Sequence, residues 1–409
     1  MRYPKTPFMK RIFSLVDDLS LQMLPYLRAN DNAFLSYNGR SFTKSTVNSN
    51  AGYDTFGVSK TNGGCVPDEW VQKGSGDFWK RMDVLRKYFD GADTDQKLEE
   101  ALEKLMKWED HSVTTYLTLV EKVPYNVVKW WETMESRTGL FDQALVETVL
   151  ASLVFMAPNM EDNVDWKCFE FVPLSICLCP VLTLYYSGGS EILHKAMRGV
   201  IRTQPQHYMR AVAIEESEGG RLLTVTFDSR HHPDSTKRAI TKKKYSHVIS
   251  TMSFGCLRMV DLHDILSPAQ RDAIRQLTYT PSIKIGLQFK SAWWEKLSIV
   301  GGQSSTDRPI RDVVYPSYGP DSSHPNNQKS NCMISSYNGM QDSQRLGGLM
   351  KGKDSSEEKV LLDLVMRDLA AVHNVDVGMI QGELEDHHAW DFHRDEFQLG
   401  NYPPHYFTT

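Results

Sequence analysis

The alternation in "SIKIGLQFK", residues 282–290, limits the fold more than any other stretch of this chain. Successive side chains of a strand point to opposite faces, so Ile283, Ile285, Leu287 and Phe289 form one apolar row, while Lys284, Gly286, Gln288 and Lys290 form the other. Such a strand needs a sheet with one dry face and one polar face. Neighbours are at hand: "FLSYNGRSF" predicts a hairpin turning at Asn38-Gly39. "CMISSYNGM" predicts a strand ahead of the helix "SEEKVLLDLVMRDLAAVHN", with Val360, Leu361, Leu364 and Leu369 inward.

Helical spacing fills much of the remainder. In "KTPFMKRIFSLVDDLSL" the residues Phe8, Ile12, Leu15 and Val16 make one stripe. From Pro67 to about Phe155 the period is again helical, with Leu98, Leu102, Leu105 and Met106 as one buried face, followed by "NVVKWWETMES" and "FDQALVETVLASLVF". Further on, "HYMRAVAIEES" and "RLLTVTFDS" predict a hairpin around Glu218-Gly219-Gly220, and "YSHVISTMSFGCLRMV" a buried strand running into a loop. The expected class is mixed α/β (α+β).

Composition removes several functions. With 41% hydrophobic and 24% charged residues the chain is globular rather than disordered. A formal charge of -5, with the triplet Lys242-Lys243-Lys244 beside an alternating strand, leaves no nucleic-acid footprint. Cys65, Cys168, Cys177, Cys179, Cys256 and Cys332 lack paired CxxC spacing, which argues against structural zinc and against a disulfide scaffold. His387, His388, Asp391 and His393 crowd together in "EDHHAWDFHRD", but adjacent histidines do not share a face, and no metal site is expected. The start, "MRYPKTPFMKRIF", has no secretory signal pattern, which slightly favours an intracellular chain and leaves the compartment unknown. One run stands apart: no charge falls between Glu170 and Glu191. A membrane span needs about 20 apolar residues, and Pro173 and Pro180 interrupt this run, so no membrane partner is expected.

Six blocks, in order, resemble the flavin-containing amine oxidases, especially the L-amino-acid oxidases of fungi and bacteria. They are "MRYP", "NGGCVPDEW", "HVISTMSFGCLRMVDL", "KIGLQFKSAWWEK", "GGQSSTDRPIRDVVYPSYG" and "DSQRLGGL". The resemblance implies an FAD-dependent amine-oxidase fold with a flavin domain, a mixed-sheet substrate domain and a helical insert. On that pattern residues 1–58 and 281–409 are the substrate domain, 59–165 the helical domain and 166–280 the remaining flavin domain. The Gly-rich strand-turn-helix of the flavin site is not found here; Gly74-Ser75-Gly76 follows no strand and reads as a loop. The chain also stops short of the family's last flavin-contacting segment, so an incomplete fold, truncated at both ends, is expected. Residues 171–187 interrupt a Trp-x-x-x-Glu segment that runs directly into Gly-Gly in similar proteins. They read as an insertion, best explained by an unspliced intron.

Residue roles follow from the resemblance alone. Arg2 matches the arginine that grips the substrate carboxylate, a task suited to a guanidinium; without the resemblance it reads as a solvated terminal residue. Tyr337 matches the tyrosine sharing that carboxylate, although a strand tyrosine is more often core. Lys284 matches the lysine that holds a water near the flavin, although alternation alone makes it a solvated strand lysine. Gly188, Gly189 and the Val212 backbone are the implied FAD contacts, and Phe392 stands where many relatives place a tryptophan near the flavin. The implied reaction is oxidation of an L-amino acid by oxygen to a 2-oxo acid, ammonia and hydrogen peroxide, in a chain that could form a homodimer. The alternatives are an amine or polyamine oxidase, and a non-catalytic remnant that binds no flavin.

Overall fold

The computed structural model describes all residues except 1, 6–8, 22, 136, 156–165, 169–190, 218, 263–264, 278, 318–330 and 401–409. The interruption at 171–187 and the glycines Gly188 and Gly189 therefore lie outside the described residues. The chain opens with β1 (Arg2–Pro4), α1 (Lys10–Asp18), β2 (Leu24–Pro25), β3 (Phe34–Tyr37), β4 (Arg40–Thr43) and α2 (Lys44–Ser49). A helical interval follows: α3 (Asp68–Lys73), α4 (Asp77–Arg86), α5 (Asp95–Met106), α6 (Val113–Thr115), α7 (Tyr125–Met134) and α8 (Leu145–Phe155). Next come β5 (Trp166–Cys168), α9 (Glu191–Val200), β6 (Arg210–Glu216), β7 (Leu223–Asp228), β8 (Ile240–Tyr245), α10 (Phe254–Leu257) and α11 (Pro268–Gln276). The last third holds β9 (Ser282–Phe289), β10 (Gln303–Thr306), β11 (Asp312–Val314), β12 (Cys332–Gly339), α12 (Met340–Gly347), α13 (Ser356–His373), α14 (Val377–Glu383) and β13 (Leu384–Asp391).

Seven strands join in the order β13-β9-β12-β11-β10-β3-β4. Both ends of the sequence thus build one mixed sheet, as the two distant strand patterns require. Asn38 and Gly39 take φ of 52° and 73°, the left-handed pair that lets a two-residue turn follow the twist of β3 and β4. Ile283, Ile285, Leu287 and Phe289 are all within 1% of complete burial and pack with Leu361, Val365, Leu369 and Val372 of α13. Each such side chain contributes about 1.5–3 kcal/mol. Val360 is 54% exposed, so the helix is rotated from the expected stripe: Val365 and Val372 continue the row that Leu361 begins. Ser355 caps α13 by accepting the Glu358 N–H, and Asn374 ends it in the left-handed region.

One polar chain crosses this core. The Leu369 carbonyl can only accept, so His373 Nδ1 donates to it at 2.7 Å. The neutral Nε2 then accepts from the Tyr315 hydroxyl, Tyr315 accepts from Ser304 at 2.6 Å, and Ser304 accepts the Phe34 N–H at 2.7 Å. Every member is satisfied, which is what a buried polar network needs to be tolerated.

The helical interval has its own core around Trp131, Phe78, Phe141, Met82, Leu85 and Leu117. Gly74, with φ of 80°, ends α3, and Gly76 starts α4, so Gly74-Ser75-Gly76 is a helix connection. No helix of the described residues is long and apolar enough to cross a membrane.

Contacts divide the chain into two units, Met1–Ile201 with Ile283–Trp390, and Arg202–Ser282 with Asp391–Phe407. In the second unit β6, β7 and β8 make a three-stranded antiparallel sheet over Ile214, Val225, Leu257 and Val260. Two expectations change. The strand expected across "YSHVISTMSF" is displaced: β8 ends at Tyr245 and is exposed along most of its length, and Ile249 is 88% exposed. Pairing from Asp228↔Ile240 to Leu223↔Tyr245 sets that strand, which local apolarity could not show. The family resemblance implies a loop at "EDHHAWD", and the structure makes it strand β13 at the edge of the large sheet.

Candidate active site

The polar face of the large sheet brings Lys284 and Tyr337 together. Their strands, β9 and β12, are neighbours, and Lys284 Nζ stands 4.9 Å from the centroid of the Tyr337 ring. A second cation reaches the same ring: Arg137 Cζ lies 5.8 Å from its centroid. Both separations fall within the range where a ring's negative face attracts a cation. Tyr337 is also the register partner of Asp312 on β11, and Asp312 accepts a hydrogen bond from Ser305 at 2.8 Å.

Arg137 comes from the segment after α7, which is tied down on several sides. The Thr138 N–H donates to Asp342 Oδ2 at 2.9 Å, and the Gln341 N–H donates to the Thr138 carbonyl at 3.3 Å. Gly139, with φ of 86°, allows the chain to turn there; a Cβ on it would stand 3.3 Å from Gln341. Arg311, 2% exposed, donates to the Thr133 carbonyl at 2.9 Å and sits 3.6 Å from Asp342. Tyr37 donates to the Met134 carbonyl at 3.4 Å. These hydrogen bonds fix the backbone on both sides of Arg137.

Glu135, in the same segment, accepts from Trp79 Nε1 at 3.0 Å. Burial pushes its carboxyl up to about 7, against the Trp79 hydrogen bond, and the Asp312 charge adds to the rise. Burial likewise raises the Tyr37 phenol above its ordinary range, with Asp312 contributing.

Of the residues singled out in the sequence, Lys284 and Tyr337 meet. Arg2 lies in β1, within a separate three-stranded sheet ordered β1-β5-β2, and its side chain is outside the described residues. Val212 sits at a bulge in β6, where the register passes from Ala211↔Phe227 to Ala213↔Thr226, and its carbonyl accepts the Asp261 N–H at 2.9 Å. Phe392 follows β13; its N–H donates to Ser282 and its carbonyl accepts from Gly400. Arg137, Glu135 and Arg311 were not foreseen. "TMESRTGL" shows only a charged helix end before a glycine, and nothing in it signals a sheet face far away in sequence.

Known proteins place this geometry in context. Residues 6–408 match the family described as flavin containing amine oxidoreductase. The chain is 32% identical over 419 residues to a protein named as a bifunctional amine oxidase from Dictyostelium discoideum, covering 98% of this chain and 36% of that protein. It is 35% identical over 286 residues to L-amino-acid oxidase 4 of Hebeloma cylindrosporum, covering 67% of this chain and 41% of that protein. The chain thus spans well under half the length of these two relatives. Among solved structures, a putrescine oxidase redesigned in its cofactor binding superposes with a TM-score of 0.63 at 12% identity, over 98% of this chain and 75% of that one. Cyclohexylamine oxidase from Brevibacterium oxydans gives 0.58 at 11%, over 97% and 75%. The fold is shared with these amine oxidases, and the match across nearly the whole sequence establishes that the chain belongs to the flavin containing amine oxidoreductase family.

Proposed function

We propose that this chain serves FAD-dependent oxidation of L-amino acids, yielding 2-oxo acid, ammonia and hydrogen peroxide. The observation that carries the reading is the pairing of Lys284 with Tyr337 on the polar sheet face, at the two positions that the family resemblance assigned to the reacting centre. The relatedness to an L-amino-acid oxidase supports it.

The described residues fit a flavin at two places. In the second unit Val212 stands outside the β6–β7 register, at a position that the resemblance gives to FAD, with its carbonyl taken by Asp261. Lys284 and Tyr337 offer a half-buried cation and a phenol on a rigid sheet, suited to the reacting end. Val212 and Phe392 in the second unit, and Lys284 in the first, are the positions that the family resemblance gives to the cofactor. A bound flavin supplies the acceptor for the substrate's hydride and returns the electrons to oxygen. The chain's residues orient the substrate: the Tyr337 hydroxyl donates to its carboxylate, and the Lys284 ammonium holds water at the reacting face. A second reading, oxidation of simple amines, draws on the shared fold with putrescine and cyclohexylamine oxidases.

The test is reconstitution of the full chain with FAD, followed by anaerobic addition of L-amino acids and, separately, of primary amines and polyamines. Bleaching of flavin absorbance by amino acids, with peroxide on admission of air, is the expected outcome. Bleaching by amines alone moves the chain to the second reading, and failure to retain any flavin defeats both.

A further inference from the structure

We propose that Arg137 is a specificity-determining anion-binding residue of this site, receiving the substrate carboxylate together with Tyr337. Its role rests on the amino-acid oxidase reading above and adds to it a residue contributed by the helical interval rather than by the sheet.

Three observations converge. First, the Arg137 guanidinium is half-buried and, among the described residues, makes no hydrogen bond or ion pair; its contact is the Tyr337 ring. Leaving a cation partly desolvated without a counter-ion costs free energy, which an incoming anion recovers. Second, the nearby carboxylates are engaged elsewhere. Asp342 receives Thr138 and lies within ion-pair distance of Arg311 and Arg345, Asp312 receives Ser305, and Glu135 receives Trp79. Burial also keeps Glu135 partly protonated near neutrality, so it competes weakly for the guanidinium. Third, the backbone on the C-terminal side of Arg137 is fixed by the reciprocal bonds of Thr138 with Asp342 and Gln341, so the side chain springs from a rigid base. Rigidity of this kind lowers the ordering cost of a two-point grip on a carboxylate.

Two cations face one tyrosine ring in a chain whose formal charge is -5. An ammonium substrate with no carboxylate would be repelled by that arrangement. The same charges favour a ligand bearing a carboxylate.

The test reads binding and not turnover, so it stands apart from the oxidase assay. The full chain is titrated with benzoate and with benzylamine by calorimetry, as wild type, Arg137→Leu and Arg137→Lys, and each variant's thermal midpoint is recorded. Arg137→Leu is expected to weaken benzoate about 10- to 100-fold, the range of a hydrogen bond to a charged group. Arg137→Lys should recover part of the loss, because an ammonium keeps the charge and loses the fork. Benzylamine affinity should not fall in either variant. Equal benzoate affinity in all three proteins overturns the proposal, as does parallel loss of benzoate and benzylamine, which would make Arg137 structural. Absence of benzoate binding by the wild type also overturns it. Carboxylate binding that depends on Arg137 without any oxidation of amino acids would leave this role standing and defeat the oxidase reading instead.

Discussion

On the α13 side of the large sheet His373 has both ring nitrogens occupied, one by Leu369 and the other by Tyr315, and its hydrogen-bonded chain runs on to the Phe34 backbone without a gap. Across the sheet, around Lys284 and Tyr337, Arg137 reaches an aromatic ring and no carboxylate, and half-buried Glu135 has one indole as its hydrogen-bond donor. Both regions bury polar groups. The histidine chain closes each of its bonds; the Arg137 guanidinium on the other face leaves capacity for a ligand. A half-buried guanidinium facing an aromatic ring, held on a rigid frame, is therefore what sets the candidate site apart from the closed histidine chain.

The comparison breaks most readily on the closed side. Phe289→Ala removes a fully buried ring that meets Trp293 and Trp294 edge-on, and should cost about 3–5 kcal/mol in urea unfolding. A loss below about 1 kcal/mol would mean that this face is not a packed core.

A pH series sharpens the contrast. Burial pushes His373 down to about 4 from its ordinary 6.5, and the bond to Leu369 only partly opposes this. Between those values the unfolded chain binds the extra proton, so the stability that neutral His373 confers is complete above about 6.5 and is lost as pH falls toward 4. The loss should approach about 3 kcal/mol. Burial raises Glu135 and Glu147 to about 7, and their effect has the opposite sign: stability falls as pH rises from 4.5 through 7. The measurement is thus the difference between wild type and His373→Asn at each pH, in which the shared carboxylate slopes cancel. A difference that does not shrink on acidification would show that His373 is not buried neutral.

The smallest effect belongs to the open side. Lys284→Met removes a half-buried cation from the polar face and should change unfolding free energy by no more than about 0.5 kcal/mol. The same substitution should abolish rapid flavin reduction in a reconstituted chain. Destabilisation comparable to Phe289→Ala would move Lys284 from the site into the framework.

Much of this was legible in the residues. Strict alternation in β9 and the Asn38-Gly39 turn each state a local rule that the chain obeys, the helical period of α13 was legible although its inward face was not fully so, and six ordered blocks pointed to the family established by its match. Lys284 and Tyr337 were reachable only through that resemblance, since alternation by itself makes Lys284 an ordinary surface lysine. Local rules failed where pairing partners decide the outcome. The strand β8 is set by the register of β7 rather than by the apolar residues after Tyr245, and β13 forms because β9 offers an edge.

The sequence by itself determined which segments could be strand or helix and which face of each strand would be dry, because period and turn chemistry act between residues a few positions apart. It could not determine that Arg137, at the end of a helix, would stand over the ring of Tyr337, two hundred positions later. That meeting depends on Arg311, Asp342 and Gln341 closing hydrogen bonds onto Thr133 and Thr138. These contacts exist only once the helical interval and the sheet have packed, and only tertiary structure brings them within bonding distance.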